Sequence, residues 1–269
     1  MTQRQHWWRL RVSCGSPQAL LSMLAPIAVI LSMPPLRQCV WALRAAGFLF
    51  LGWRLPYMLS RPTTTSIISM VVFLPIVIGA HELAHGLALT ARGGRSREWG
   101  FAFLYLEPAA YIDLTEIWTL SRWQRVSVCL AGINANCMFA SFFAFAGFLT
   151  SGPVSNVLSF IAITNVTLAI TNLVPFIQLD GYFALAAFLD RPNLRRDAYL
   201  ALRKMAVPDD RKVGLALFGL FSLGIAGVAT ALGLAETLSA FRVWGVLPAV
   251  LTLVVAMILP LYSFLRETR

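Results

Sequence analysis

Two histidines and a glutamate interrupt an apolar run in the stretch Ile78-Gly-Ala-His81-Glu82-Leu-Ala-His85-Gly-Leu-Ala-Leu89. His81 and His85 are four residues apart, so a helix places both imidazoles on one face, where they can bind one metal ion. Glu82 would then lie beside that ion, free to act as a base. The alternative is a pair of helix histidines whose ring nitrogens are satisfied by neighbouring side chains.

The residues around this motif favour the metal site. No charged residue occurs from Ile67 to Ala80, and the whole run of residues 67–91 is 25 residues long. A helix needs about 20 apolar residues to cross a bilayer, so this run is long enough. Ionisable side chains inside a membrane helix are costly and mark functional sites. The run is closed by Arg92-Gly93-Gly94-Arg95, a typical helix stop.

The composition is that of a polytopic membrane protein. Hydrophobic residues make up 58% of the chain, charged residues 13%, and the mean hydropathy is +0.71. The net charge is +10, but the basic residues gather at the ends of apolar runs, and no nucleic-acid-reading motif accompanies them. We therefore expect a lipid bilayer, and no nucleic acid, as a partner. Cysteine spacing shows no C-x-x-C pattern and predicts four reduced packing residues, Cys14, Cys39, Cys129 and Cys137.

Residues 1–66 are predicted to form a basic aromatic anchor, a first spanning helix and an interfacial segment. The helix is assigned to the uncharged run of residues 12–36, for which a signal peptide is the competing interpretation. The next apolar segment, residues 38–60, contains Arg44 and Arg54. Because these arginines leave only a short uncharged stretch between them, the segment is predicted to be interfacial or re-entrant.

Residues 67–190 are predicted to form the catalytic membrane core. After the histidine helix, residues 99–113 alternate in polarity and predict a β-hairpin at the membrane surface that turns at Glu107-Pro108. Its edge, residues 101–111, could hold an extended peptide by strand addition, and a purely structural hairpin or loop is the equal alternative. Two spans follow at residues 126–149 and 154–174. A cytoplasmic basic loop, residues 191–212, then leads to a C-terminal helix pair in residues 213–269, with spans at 213–235 and 243–265.

The predicted fold is an all-α polytopic membrane protein with about six transmembrane helices and a small β-hairpin at the membrane surface. If residues 38–60 do not cross, 17 Lys and Arg residues lie on the side of the N-terminus, both basic loops and the C-terminus. Five lie on the other side: Arg37, Arg44, Arg54, Arg61 and Arg242. The basic side is expected to be the cytoplasm. We therefore expect a multi-pass protein of the cytoplasmic membrane, with His85 and Asp180 at similar depths near the cytoplasmic face.

A catalytic zinc ion takes three protein ligands and keeps one position open. His6 is the one remaining histidine, so the third ligand is expected to be a carboxylate. The candidates are Glu98, Glu107, Asp113, Glu116 and Asp180. Glu116 would suit a soluble arrangement but falls in a surface segment, whereas Asp180 follows an apolar span at a depth that matches His85. Asp180 is therefore predicted to complete a Zn²⁺ site with His81 and His85.

The sequence resembles the site-2 protease family of intramembrane zinc metalloproteases. That family carries H-E-x-x-H in one membrane helix and N-x-x-P-x-x-x-x-D-G in another, matched here by His81-Glu82-Leu-Ala-His85 and Asn172-Leu-Val-Pro175-Phe-Ile-Gln-Leu-Asp180-Gly181. A third family pattern, G-P-x-x-N, is matched in part by Gly132-Ile133-Asn-Ala-Asn136, with Ile133 in place of proline. Residues 107–125 and 179–195 look like the bacterial peptide zinc metalloprotease branch, whose members often accompany ribosomally made peptides.

The resemblance implies intramembrane proteolysis: hydrolysis of a peptide bond in a membrane-associated or small peptide substrate, such as a ribosomal peptide precursor. Glu82 would take a proton from zinc-bound water and deliver it to the leaving amine. Asn136 or Asn172 would add a hydrogen bond to the oxyanion. The alternative is a non-hydrolytic membrane protein, a peptide export or immunity component, that retains zinc. The intact Glu82 favours the enzyme, because zinc binding alone does not require it.

Overall fold

The computed structural model describes residues 11–31, 33–59, 64–104, 107–202 and 213–225 of the 269-residue chain. Most of these residues are helical. The helices are α1 (Gln18–Leu31), α2 (Pro34–Leu59), α3 (Thr64–Thr90), α4 (Arg122–Cys129), α5 (Ala131–Phe148), α6 (Gly152–Leu173), α7 (Asp180–Phe188), α8 (Leu194–Leu202) and α9 (Val213–Ile225). The strands are β1 (Arg11–Ser13), β2 (Trp99–Leu104) and β3 (Glu107–Ile112), and a 3-10 helix covers Thr115–Thr119.

The chain divides into two compact units. The first comprises Met1–Pro175 and Leu179–Phe188 and contains α1 to α7 and the sheet. The second comprises Phe176–Gln178 and Leu189–Arg269 and contains α8 and α9. Within the second unit, the Arg195 guanidinium donates to the Phe176 carbonyl at 3.3 Å. The residues predicted to carry the chemistry all fall in the first unit.

Three helices in the described ranges are long and apolar enough to cross a membrane: Val72–Thr90 within α3, Ala131–Phe148 and Gly152–Leu173. A fourth candidate is the pair α1 and α2, bent by 83° between Ile30 and Pro34. The described part of the chain is thus mostly helical, with three or four candidate spans. The predicted span at residues 213–235 is described as far as Ile225, and the one at residues 243–265 lies outside the described residues.

The prediction of one spanning helix over residues 12–36 is wrong. The start of this run belongs to β1, which pairs with β2 so that Ser13 lies opposite Gly100. The helix that follows, α1, contains only 14 residues. Absence of charge in a run indicates burial but does not distinguish a strand followed by a short helix from one long helix.

The segment predicted to be interfacial or re-entrant lies, as far as Leu59, in the helix α2 beside α5, and its 83° bend against α1 fits either a broken span or a re-entrant loop. The Arg44 guanidinium donates to the side chain and the carbonyl of Asn134, both at 3.3 Å. Further along both helices, the rings of Phe50 and Phe148 are 5.3 Å apart. The two helices therefore run parallel. Gly47 allows their close approach, since a Cβ there would overlap Ser141.

This arrangement changes the expected position of two arginines. Arg37 and Arg44 line the same cavity as Arg92, at the end of α3 and the start of α5. The structure thus brings Arg37 and Arg44 to the same cavity as Arg92, although the charge count had assigned them to different sides of the membrane.

The hairpin predicted in residues 99–113 is present as β2 and β3, paired in antiparallel register from Trp99↔Ile112 to Leu104↔Glu107. The predicted turn at Glu107-Pro108 is wrong, because these residues begin β3. The strand order is β1-β2-β3. The structure places residues 11–13 in the same sheet as the segment after α3, and β3 has no strand on its outer side among the described residues.

The segment after the hairpin returns the chain to the end of α3. α4 begins with a capping box in which the Gln124 side chain accepts the Ser121 N–H at 3.1 Å. The predicted span over residues 126–149 is divided, because α4 ends at Cys129 and α5 begins at Ala131. An apolar cluster then joins α3, the 3-10 helix, α4 and α7: Leu89, Ile117, Val128, Cys129, Ala184 and Ala187. This cluster fixes the start of α7 beside α3.

Candidate metal centre

His81 and His85 lie on adjacent turns of α3 and are buried, with exposed fractions of 7% and 3%. Their ring centroids are 4.9 Å apart. The Nε2 atoms of the two rings are 3.3 Å apart. The helical spacing thus brings both imidazole nitrogens to one point, as the sequence predicted.

Asp180 brings its carboxylate to the same point. Its Oδ2 atom is 3.0 Å from His81 Nε2 and 3.2 Å from His85 Nε2. Asp180 follows the α6 span, as predicted, and is the first residue of α7, because α6 ends at Leu173 before Pro175. A Cβ on Gly181 would overlap the Leu173 carbonyl, so glycine lets α7 begin against the end of α6.

The three ligand atoms fit a tetrahedral zinc ion. Ligands about 2.0–2.1 Å from zinc at tetrahedral angles lie about 3.3 Å from one another. The observed separations are 3.0, 3.2 and 3.3 Å. His81, His85 and Asp180 are the one group of three or more potential metal ligands within the described ranges. Three protein ligands leave one position of a tetrahedral ion for water or substrate, the pattern of catalytic zinc.

Gly132 leaves the space that an ion would need. It lies in the first turn of α5, and a Cβ at this position would overlap the Nε2 atoms of both His81 and His85. No side chain other than hydrogen can therefore face the two imidazoles here. The donor set and the space beside it both suit a metal ion.

Two features prepare the ligands to bind a cation. His85 Nδ1 is 2.8 Å from the Val128 carbonyl, and since a carbonyl can only accept, Nδ1 carries the proton and Nε2 keeps its lone pair. Val128 lies in the last turn of α4, where its carbonyl is approached by the C-cap Leu130 N–H and also accepts from His85. Burial alone would raise the pKa of Asp180, but hydrogen bonds and charges from His81 and His85 lower that pKa to about 2. Asp180 is therefore ionised at neutral pH.

Two other carboxylates considered as the third ligand have partners elsewhere. Glu116 accepts hydrogen bonds from the Arg97 guanidinium at 3.2 Å and from the Arg95 backbone N–H at 2.8 Å. Glu98 accepts a hydrogen bond from the Tyr111 hydroxyl. Both contacts lie in the segment around the hairpin, so these residues stabilise that surface.

The remaining candidates are Asp113 and Glu107. Asp113 accepts the Thr115 backbone N–H at 2.9 Å, and the side chain of Glu107 is outside the described residues. Cys129 is buried close to the charge of Asp180, and burial raises the pKa of its thiol to about 12. Cys129 is not part of the cluster formed by His81, His85 and Asp180.

Glu82 follows His81 and is partly buried, and its carboxylate accepts a hydrogen bond from the Ile112 backbone N–H. Ile112 and Trp99 form a non-hydrogen-bonded pair, because the adjacent Asp113 N–H bonds to the Glu98 carbonyl at 2.8 Å. The Ile112 N–H therefore points away from β2, out of the free edge of β3. This edge meets α3 at the carboxylate predicted to act as the base.

Asn136 and Asn172, the two asparagines predicted to contact substrate, differ in their surroundings. Asn136 is 1% exposed, and neither its amide oxygen nor its amide nitrogen has a hydrogen-bond partner within the described part of the chain. It follows Gly132 by one helical turn and so shares the face of α5 that approaches the histidines. The Asn172 amide instead donates to the Leu168 carbonyl of its own helix at 2.9 Å.

Two contributions to the site were not predicted. Gly132 had a signal in the sequence, because a glycine within a polar patch of an apolar helix can mark a close approach. The role of the Val128 carbonyl had no signal in the sequence, because every residue has a backbone carbonyl. It becomes available because the helix is interrupted after Cys129.

No family model matches the chain, and no solved structure matches it. The chain is 29% identical over 130 residues to a protein of Bacillus subtilis (strain 168) named "Putative peptide zinc metalloprotease protein YydH". The match covers 48% of this chain and 51% of that relative, so the chain spans about half the length of the relative. The chain is thus a distant homologue of a protein named as a peptide zinc metalloprotease, and its His-His-Asp cluster is consistent with a zinc site.

Proposed function

We propose that the chain is a membrane-embedded zinc metalloendopeptidase of the site-2 protease type. The observation that carries the proposal is the convergence of His81 Nε2, His85 Nε2 and Asp180 Oδ2 within 3.3 Å of one another. Two of these residues lie in a candidate membrane span that also contains Glu82. The name of the distant relative supports the same activity.

The proposed chemistry assigns a separate task to each residue. A zinc ion held by the three ligands would polarise the scissile carbonyl and lower the pKa of a bound water to about 7. Glu82 accepts the proton of the attacking water and returns it to the leaving amine. The Val128 carbonyl keeps the His85 ring in its ligating orientation. Asn136 donates a hydrogen bond to the carbonyl oxygen as negative charge develops there.

The outer edge of β3 is the proposed binding site for an extended substrate segment. A peptide bond inside a helix has its carbonyl engaged, so a transmembrane substrate must unwind before cleavage. Ala110 lies two residues before Ile112, so its backbone N–H and carbonyl face the same outer edge. β1 covers the other side of β2 at Gly100 to Ala102. We therefore propose that the outer edge of β3, and not β2, binds an extended segment of a membrane-associated or small peptide.

The proposed topology has six spans. The bent pair α1 and α2 replaces the run of residues 12–36, and α3, α5 and α6 are three further spans. The apolar segments 213–235 and 243–265 are proposed from the sequence alone as the other two. The active site then faces the cytoplasm, on the side that carries most of the Lys and Arg residues.

Substitutions at Glu82 and Asp180 should separate proton transfer from metal binding. Glu82→Gln keeps the shape but cannot accept the proton, so zinc stays bound while cleavage falls by about 10²–10⁴-fold. Asp180→Asn removes the charged ligand, so zinc content and cleavage fall together. The zinc content of detergent-purified protein is measured by elemental mass spectrometry. Cleavage is measured with a co-expressed model transmembrane peptide.

Glu116→Gln is the matched control, since it makes the same carboxylate-to-amide change in a residue bound to Arg97. It should retain both zinc and cleavage. If Asp180→Asn kept one zinc per chain while Glu116→Gln lost it, the assignment of the third ligand would be wrong.

Gly132→Ala should reduce zinc content, because the added methyl group would occupy the space beside the two Nε2 atoms. Gly79→Ala is the control: it lies in α3, two residues before His81, and a Cβ there meets nothing within 4 Å. Replacing glycine by alanine in a helix adds about 1 kcal/mol of stability, so Gly79→Ala should keep its zinc and unfold no more easily. Equal zinc content in both variants would contradict the position assigned to the ion.

Cysteine labelling in a cysteine-free background tests the orientation. Arg122 in α4 and Ser151 before α6 are both exposed and lie at opposite ends of α5. A membrane-impermeant maleimide added to intact cells should label Ser151→Cys but not Arg122→Cys. The reverse pattern would place the active site on the outer face.

A further inference from the structure

A cavity of about 640 Å³ lies among α1 to α5, beside the metal centre but on other faces of α3 and α5. On α3 it is lined by Ala84 and Ala88, and on α5 by Ala131 and Ala135. None of the residues assigned to metal binding or catalysis lines this cavity. Its volume falls in the range of about 300–1,000 Å³ that is typical of small-molecule sites.

Three arginines, Arg37, Arg44 and Arg92, line the cavity, and none of its lining residues is an aspartate or a glutamate. None of the ion pairs within the described residues involves these three arginines. Like charges gathered in one partly enclosed space repel one another unless an anion joins them. The cavity therefore has an excess of positive charge that an anionic ligand would neutralise.

Two of the arginines are already held in place. Arg44 donates to Asn134 at 3.3 Å and lies over the Trp41 ring, 5.1 Å from its centroid. Its buried Nε has no hydrogen-bond partner in the described part of the chain. Arg92 donates through Nη1 to the Ala88 carbonyl at 2.7 Å. Fixed guanidinium groups lose little conformational freedom when they bind an oxyanion.

The position of the cavity indicates the kind of anion. Its walls run from Ala84 to Arg92 at the end of the α3 span and from Ala131 to Met138 at the start of the α5 span. Seven helical residues rise about 10 Å, so the cavity extends that far from the start of α5 toward the bilayer centre. Its outer end, at Arg92 and Ala131 where the two apolar spans stop, suits the lipid phosphates, and its inner part suits the acyl chains. The alanine, leucine and methionine walls suit the acyl side of that boundary.

We propose that this cavity binds the headgroup of an anionic phospholipid, with Arg37, Arg44 and Arg92 around the phosphate and the apolar walls against the first acyl carbons. Guanidinium groups bind phosphate oxygens through paired hydrogen bonds. Basic pockets between membrane helices are suited to anionic headgroups. A free phosphate ion shares the charge of the headgroup but would leave the apolar walls uncovered. This site does not depend on the proposed protease activity.

Native mass spectrometry of the full-length protein in a neutral detergent tests the proposal. The wild type should bind one phosphatidylglycerol at concentrations at which phosphatidylcholine does not bind. Arg92→Gln should weaken phosphatidylglycerol binding by about 10-fold, as expected for a lost hydrogen bond to a charged group. Ala91→Leu should weaken it similarly without changing any charge, because Ala91 lines the cavity and the larger side chain fills it.

Arg122→Gln is the control, since it removes an exposed arginine outside the cavity and should bind like the wild type. Arg37→Gln provides a second charge variant if Arg92→Gln does not purify as a folded monodisperse protein. Equal binding of phosphatidylcholine, or an equal loss in Arg122→Gln, would overturn the proposal. Full displacement of the lipid by millimolar inorganic phosphate would also overturn it in favour of a free-anion site.

Discussion

The structure depends on holding two imidazoles and a carboxylate against one another inside an apolar bundle. Removing such groups from water is costly unless they are paired or bind a metal. His81 and His85 meet this constraint with local geometry, because one helical turn brings them together. Asp180 meets it only through the tertiary structure, since it is far from them in sequence. The interruption between α6 and α7 is therefore part of the site.

Helix interruptions supply most of the site's remaining features. The break after Cys129 leaves the Val128 carbonyl available to His85. The restart of α5 at Ala131 places Gly132 against both imidazoles, and Asn136 one turn later on the same face. The end of β3 adds a backbone N–H to Glu82. An uninterrupted bundle would satisfy its own backbone groups and leave none for these tasks.

The sequence was sufficient to predict what local patterns determine. The H-E-x-x-H spacing predicted the histidine pair, and alternation predicted the hairpin. It was not sufficient where pairing partners decide the structure, because β1 is a strand only through its contact with β2. It also could not indicate the partners of the Arg44 charge. The Asn134 side chain and the Trp41 ring, which accommodate that charge, are set by tertiary packing.

We propose that His81, His85 and Asp180 bind one zinc ion through two imidazoles and one carboxylate. This ligand set can be measured by X-ray absorption spectroscopy at the zinc edge of the purified wild-type protein. We expect a zinc shell of only nitrogen and oxygen at about 2.0–2.1 Å, with outer-shell scattering from two imidazole rings. Sulfur scattering at about 2.3 Å, or a shell with no imidazole, would contradict it.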